Sequence, residues 1–71
     1  NKVVFYPNPV KDNLMVVAEK AIVKIVDIAG RTIASSSVNG QTSISTQAWE
    51  KGVYTAIVIY DQGEEVFKII K

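Results

Sequence analysis

The sequence predicts an all-β domain, a small antiparallel sandwich or barrel. Three observations carry that reading. Hydrophobic residues make up 48% of the 71, mostly Val, Ile and Ala, and the β-branched Val and Ile suit a pleated sheet. Turn-forming residues recur at short intervals: Pro7-Asn8-Pro9, Lys11-Asp12-Asn13, Ala29-Gly30, Asn39-Gly40, Lys51-Gly52 and Asp61-Gln62-Gly63. No segment keeps a helical apolar period over three turns.

Between the turns lie seven predicted strands. Val3–Tyr6 is short and apolar. Leu14–Ala18 is continuously apolar, as a strand buried on both faces would be. Ile22–Ile28 alternates in part, with Lys24 and Asp27 breaking the run. Thr32–Val38 ends in three serines, so its far end is expected to be exposed. Thr42–Thr46 sets polar residues around Ile44. Val53–Tyr60 is the longest apolar run and the expected central strand. Glu65–Lys71 closes the chain. Asn39-Gly40 is a hairpin signal, because both residues tolerate positive φ, and it should join the fourth and fifth strands. Gln47–Lys51 is helix-like for one turn at most, with Trp49 expected to plug one end of the sandwich.

Pro7-Asn8-Pro9 has its own local physics. Each proline fixes φ and removes a backbone donor. Asn8, placed before Pro9, is pushed toward an extended conformation. The first strand must therefore end in a stiff, extended corner. Asp12 or Asn13 then turns the chain through side-chain to backbone bonds.

Length and composition bound the function. Seventy-one residues make one domain, residues 1–71. Its stability should be about 4–10 kcal/mol. There is no cysteine and no histidine, so neither a disulfide nor a zinc site is expected to support the core. A net charge of +1, with the basic residues scattered, gives no footprint for nucleic acid. No apolar run approaches the ~20 residues of a membrane-spanning helix. The chain opens at Asn1 rather than methionine, which reads as a piece of a longer protein.

Catalytic chemistry is not expected. Without His or Cys the commonest general bases and all thiol chemistry are missing. Ser35-Ser36-Ser37, Ser43 and Ser45 lie in no G-x-S-x-G elbow. The seven carboxylates form no D-x-[DN]-x-[DN]-G calcium loop. Glu64-Glu65 reads as a solvated hairpin edge, and Asp27-Ile28-Ala29-Gly30 as a turn with Gly30 in the positive-φ position. Lys11, Lys24, Arg31, Lys68 and Lys71 read as strand-edge charges that block aggregation rather than as a basic face. Tyr54 and Tyr60 share one face of a strand, and core filling explains them and Trp49 more simply than a sugar platform. No catalytic residue, metal ligand or cofactor site is expected.

The same residues assemble into a familiar order. Tyr6-Pro7-Asn8-Pro9-Val10-Lys11-Asp12-Asn13-Leu14 resembles the opening of the type IX secretion sorting domain: Y-P-N-P, two variable residues, a polar pair and an apolar strand. Ile25-Val26-Asp27-Ile28-Ala29-Gly30-Arg31 is similar to that family's apolar strand running into D-x-x-G-[KR]. Lys51-Gly52-Val53-Tyr54 is similar to its G-x-Y element, and Phe67-Lys68-Ile69-Ile70-Lys71 to its lysine-flanked terminal strand. The resemblance covers nearly the whole chain. Trp49 stands where the family more often has leucine, and Ser35–Ser37 is more polar than usual.

This resemblance implies an immunoglobulin-like β-sandwich of about seven short strands, at the C-terminus of a larger exported protein of Bacteroidetes-type bacteria. It implies an address rather than an enzyme. The cargo would cross the periplasm and be recognised by the type IX outer-membrane translocon. A sortase-like peptidase would then remove the domain, upstream of the first strand, and the cargo would reach the surface or be released. Asp27, Gly30, Gly52 and Tyr54 would be structural parts of the motifs. Readout would fall to Lys68, Ile69, Ile70 and Lys71, and secondly to Pro7, Asn8 and Pro9. A carbohydrate-binding or adhesive module, or an inert spacer, would be the competing functions. Dimerisation through edge strands is an expected hazard of a small sandwich.

Overall fold

In a computed structural model, which describes residues 3–71, the chain forms one five-stranded antiparallel sheet. The strands are β1 (Val4–Tyr6), β2 (Asn13–Val26), β3 (Thr32–Ser45), β4 (Val53–Tyr60) and β5 (Gly63–Ile70). The all-β antiparallel expectation holds, and the strand count differs. Five strands stand where seven were predicted, because two pairs of predicted strands are each continuous. Leu14–Ala18 merges with Ile22–Ile28, as far as Val26, into β2, with Asp27 and Ile28 beyond the strand end; Thr32–Val38 merges with Thr42–Thr46, as far as Ser45, into β3.

The merger has a physical cause. Ala18 pairs with Gly40, and Ala21 pairs with Val38. Two residues of β2, Glu19 and Lys20, therefore oppose the single Asn39 of β3, which is a β-bulge. Core-facing positions in β2 are Leu14, Val16 and Ala18 before the bulge, and Ala21, Val23 and Ile25 after it. The extra residue switches the phase of the two-residue alternation, so both halves of the strand bury one face. Asn39-Gly40 is not a hairpin turn. Gly40 does take positive φ, at 100°, but it uses that freedom inside a strand that keeps the same partner on both sides. The hairpin between β2 and β3 is the Asp27–Arg31 loop instead.

The halves of β2 also differ in their neighbours. Its first half lies between β1 and β3, and its second half between β3 and β4. The sheet therefore curls until both halves share one core, built around Leu14, Val16, Val23, Ile25, Val58 and Ile69. Met15 and Val17 remain half-exposed, so the segment Leu14–Ala18 is not buried on both faces. β4 is central as predicted, between β2 and β5. β1 packs over β5 through Phe5 and Phe67, whose ring centroids lie 5.0 Å apart. Gln47 and Ala48 form a turn closed by Trp49 N–H donating to Thr46 O at 3.0 Å, and no described residue is helical. Trp49 packs half-buried against the core.

Candidate functional site

The two segments singled out for readout meet in space. Asn8 and the end of β5 are about sixty positions apart in sequence, yet their polar groups bond directly. The Asn8 carboxamide donates from Nδ2 to Lys68 O at 3.2 Å, and its Oδ1 accepts from Ile70 N–H at 3.1 Å. Val10 N–H donates to Ile70 O at 2.7 Å. Asn8 thus presents to β5 one donor and one acceptor, as a neighbouring strand would. The corner bends at Pro7, Asn8 and Pro9 rather than running extended, and both X–Pro peptide bonds are cis.

The ladder explains why these groups are free to meet. Gly52 and Lys71 exchange both backbone bonds, at 3.0 Å each. Alternation in an antiparallel pair then directs the amides of Ile69, Phe67 and Glu65 toward β4, and those of Ile70, Lys68, Val66 and Glu64 away from it. The corner covers the last part of that outer edge. It does so without covering the side chains: Pro7, Asn8, Pro9, Lys68 and Ile70 are all exposed, Ile70 at 40%. Ile69 is 1% exposed and belongs to the core. Lys71 is half-buried, and its Nζ donates to Thr46 O.

Beneath the corner lies a contact that the sequence does not advertise. Thr46 is fully buried; its Oγ1 donates to Lys11 O at 2.7 Å and its N–H donates to Asp12 O at 2.8 Å. Through Thr46 the end of β3 holds the residues that follow the corner. Lys71 bonds to the carbonyl of that same threonine, so corner, β3 end and chain end form one connected cluster. A lone Thr at a strand end carries no signal that would have singled it out.

The Asp27–Arg31 loop is a separate, self-contained device. Asp27 Oδ1 accepts from Ala29 N–H at 3.0 Å and Arg31 N–H at 2.9 Å. Its Oδ2 accepts from Arg31 Nε at 2.9 Å, and Gly30 N–H donates to Asp27 O at 3.0 Å. Gly30 takes φ 88°, where a side chain would be strained. The Arg31 backbone amide, with the Arg31 side chain, holds the Asp27 carboxyl below its ordinary range. Asp27 is thus a turn builder whose oxygens are occupied.

Gly52 pairs with Lys71, and Tyr54 is buried, with its OH donating to Glu50 O. Trp49 and Tyr54 rest against each other at 4.8 Å between centroids. Tyr60 donates to Glu65 Oε1 at 2.6 Å, and desolvation with that carboxylate pushes its phenol up to about 12. The three aromatics do not make a shared exposed platform. Of the five basic residues, Arg31 is tied to Asp27 and Lys71 to Thr46, while Lys24 lies on β2 and Lys68 on β5.

The family model for secretion system C-terminal sorting domains matches residues 4–71. The chain is a type IX secretion C-terminal sorting domain. No curated protein matches it. A sorting domain of this family is a C-terminal signal for type IX secretion: it interacts with that secretion system, and its cargo is exported to the cell surface or secreted. In this sorting domain the matched region takes in both the corner and the whole of β5.

Proposed function

We propose that the sorting domain is a passive, non-catalytic address, read at the surface where the Pro7–Pro9 corner meets the end of β5. Exposed Asn8, Lys68 and Ile70 form this surface, with the partly exposed Lys71 beside it. The observation that carries the reading is the Asn8 carboxamide, which bonds to Lys68 and Ile70 across the fold. A rigid corner and a clamped strand end present a fixed shape, so a receptor orders little on binding. Ile69 supports the address from within the core.

The wider scheme belongs to the same proposal. The domain closes a larger cargo protein, which crosses the periplasm before the translocon reads it. A sortase-like peptidase then cuts upstream of β1. The curled sheet corresponds to an immunoglobulin-like sandwich, with β2 and β3 each serving both layers. Tyr54 near the start of β4, bonded back to Glu50 O, supports this, since such sandwiches often carry a tyrosine bonded to the backbone a few residues upstream. Edge-strand association is also part of the scheme.

The test is a fusion of the chain to a periplasmic reporter in a bacterium with a type IX system. Lys68→Glu and Ile70→Ser alter exposed side chains and should leave the domain folded. Export of the parent fusion with retention of both folded variants is the expected result. Export of all three alike would remove this surface as the address. Deleting Phe67–Lys71 is a poorer test, because it also removes Ile69 from the core.

A further inference from the structure

Among the described residues, the outer edge of β5 is covered at one end only. Among the described residues, Glu64 and Val66 make no backbone bond beyond the ladder with β4, and neither does the Lys68 N–H. This open edge is bounded by the Asp61-Gln62 turn on one side and the Asn8 clamp on the other. Its outward positions are Glu64, Val66 and Lys68, all exposed, with Val66 at 64% the most exposed apolar residue in any strand. Their side chains share the outer face of the sheet, since they alternate with Phe67 and Ile69, which face inward.

The order acidic, apolar, basic is its own complement when reversed. We propose that this edge pairs antiparallel with the same edge of a second copy of the chain, in a register centred on Val66. Val66 then lies opposite Val66 of the other copy, and each Glu64 opposite a Lys68. The alternative register, centred on Glu65, sets each Glu64 opposite a Val66 and forms neither ion pair. Opposite charges facing each other across a strand pair are stabilising and like charges destabilising, so charge selects the first register. The Asn8 clamp limits the overlap, because the groups of Ile70 and the carbonyl of Lys68 are already engaged. The contact is short and belongs to the weak, transient class.

Sedimentation of the purified chain from about 10 μM to 1 mM tests this pairing. The unaltered chain should show a reversible monomer–dimer equilibrium. Glu64→Lys alone and Lys68→Glu alone should each weaken it by at least about tenfold, because each sets like charges opposite one another. An equimolar mixture of the two single variants should dimerise again, and so should the double variant. Val66→Pro should be monomeric with its fold intact, since the lost N–H points away from β4. If that proline disrupts folding, the charge variants still decide. A monomeric parent at 1 mM, equal dimerisation of the single variants, or no recovery in the mixture would each overturn the proposal.

Discussion

Asn8 and Asp27 do similar chemistry at different ranges. Each is a short polar side chain that bonds to backbone groups beside a turn. Asp27 reaches two and four residues along the chain, to Ala29 and Arg31. Asn8 reaches sixty and sixty-two residues, to Lys68 and Ile70. Removing Asp27 would loosen one hairpin. Removing Asn8 would free the end of the last strand from the start of the chain. Similar side chains therefore build a local turn in one place and hold the tertiary structure together in the other.

Ile69→Ala should have the largest effect. It removes a buried side chain from the clamped end of β5 and should cost about 2–5 kcal/mol in denaturant unfolding. That is a large share of the stability of so small a domain. A cost below about 1 kcal/mol would mean that β5 is not part of the main core.

Asn8→Ala comes next, at about 1–2 kcal/mol for two lost hydrogen bonds. Its more telling signature is local. Amide exchange at Ile70 should quicken by about tenfold relative to Ile69, whose N–H faces β4. Equal acceleration at both residues would show that Asn8 supports the fold in general and not this edge.

Two pH experiments compare pairs that stay within one turn. The Asp27 carboxyl titrates below its ordinary value in the folded domain. The unfolded chain therefore binds more protons there, and the stability supplied by Asp27 is present above pH ~4 and lost as pH falls through the folded value. The stability gap between the parent and Asp27→Asn should close under acid. Tyr60 behaves in the opposite sense, with a folded value raised from 10.0 to about 12. Its contribution is complete below pH ~10 and lost as pH rises toward the folded value, so the gap to Tyr60→Phe should close in alkali. Both effects should be small because both hydrogen-bonded pairs lie at the surface, within reach of solvent screening. A gap unchanged across its range would remove the corresponding pairing.

The contrast between the two side chains also shows what was legible in the sequence. The Asp27 turn could be read directly, because Asp27, Ala29, Gly30 and Arg31 lie within five residues and bond to one another. The corner was legible as a stiff break, yet nothing in Pro7-Asn8-Pro9 says where the Asn8 amide will point. The same limit explains the strand count. Glu19-Lys20 and Asn39-Gly40 each look like the end of a strand. Only the pairing of β2 with β3 makes them a bulge, which is a property of two segments together. Asn39-Gly40 was thus read as a turn when Gly40 serves a bend inside β3. The central place of β4 was legible because burial on a central strand leaves a long apolar run. Thr46 was not legible, since its partners, the carbonyls of Lys11 and Asp12, are common to every residue.

The most direct measurement returns to the two side chains. The chain would be fused to a periplasmic reporter as parent, Asn8→Ala and Asp27→Ala, and each fusion shown to be folded. Export would then be scored in a bacterium with a type IX system. If the corner and the end of β5 form one address, the Asn8→Ala fusion is retained while the Asp27→Ala fusion is exported like the parent. Export of the Asn8→Ala fusion at the parent level, with loss of the Asp27→Ala fusion, would contradict it and move the address to the β2–β3 hairpin.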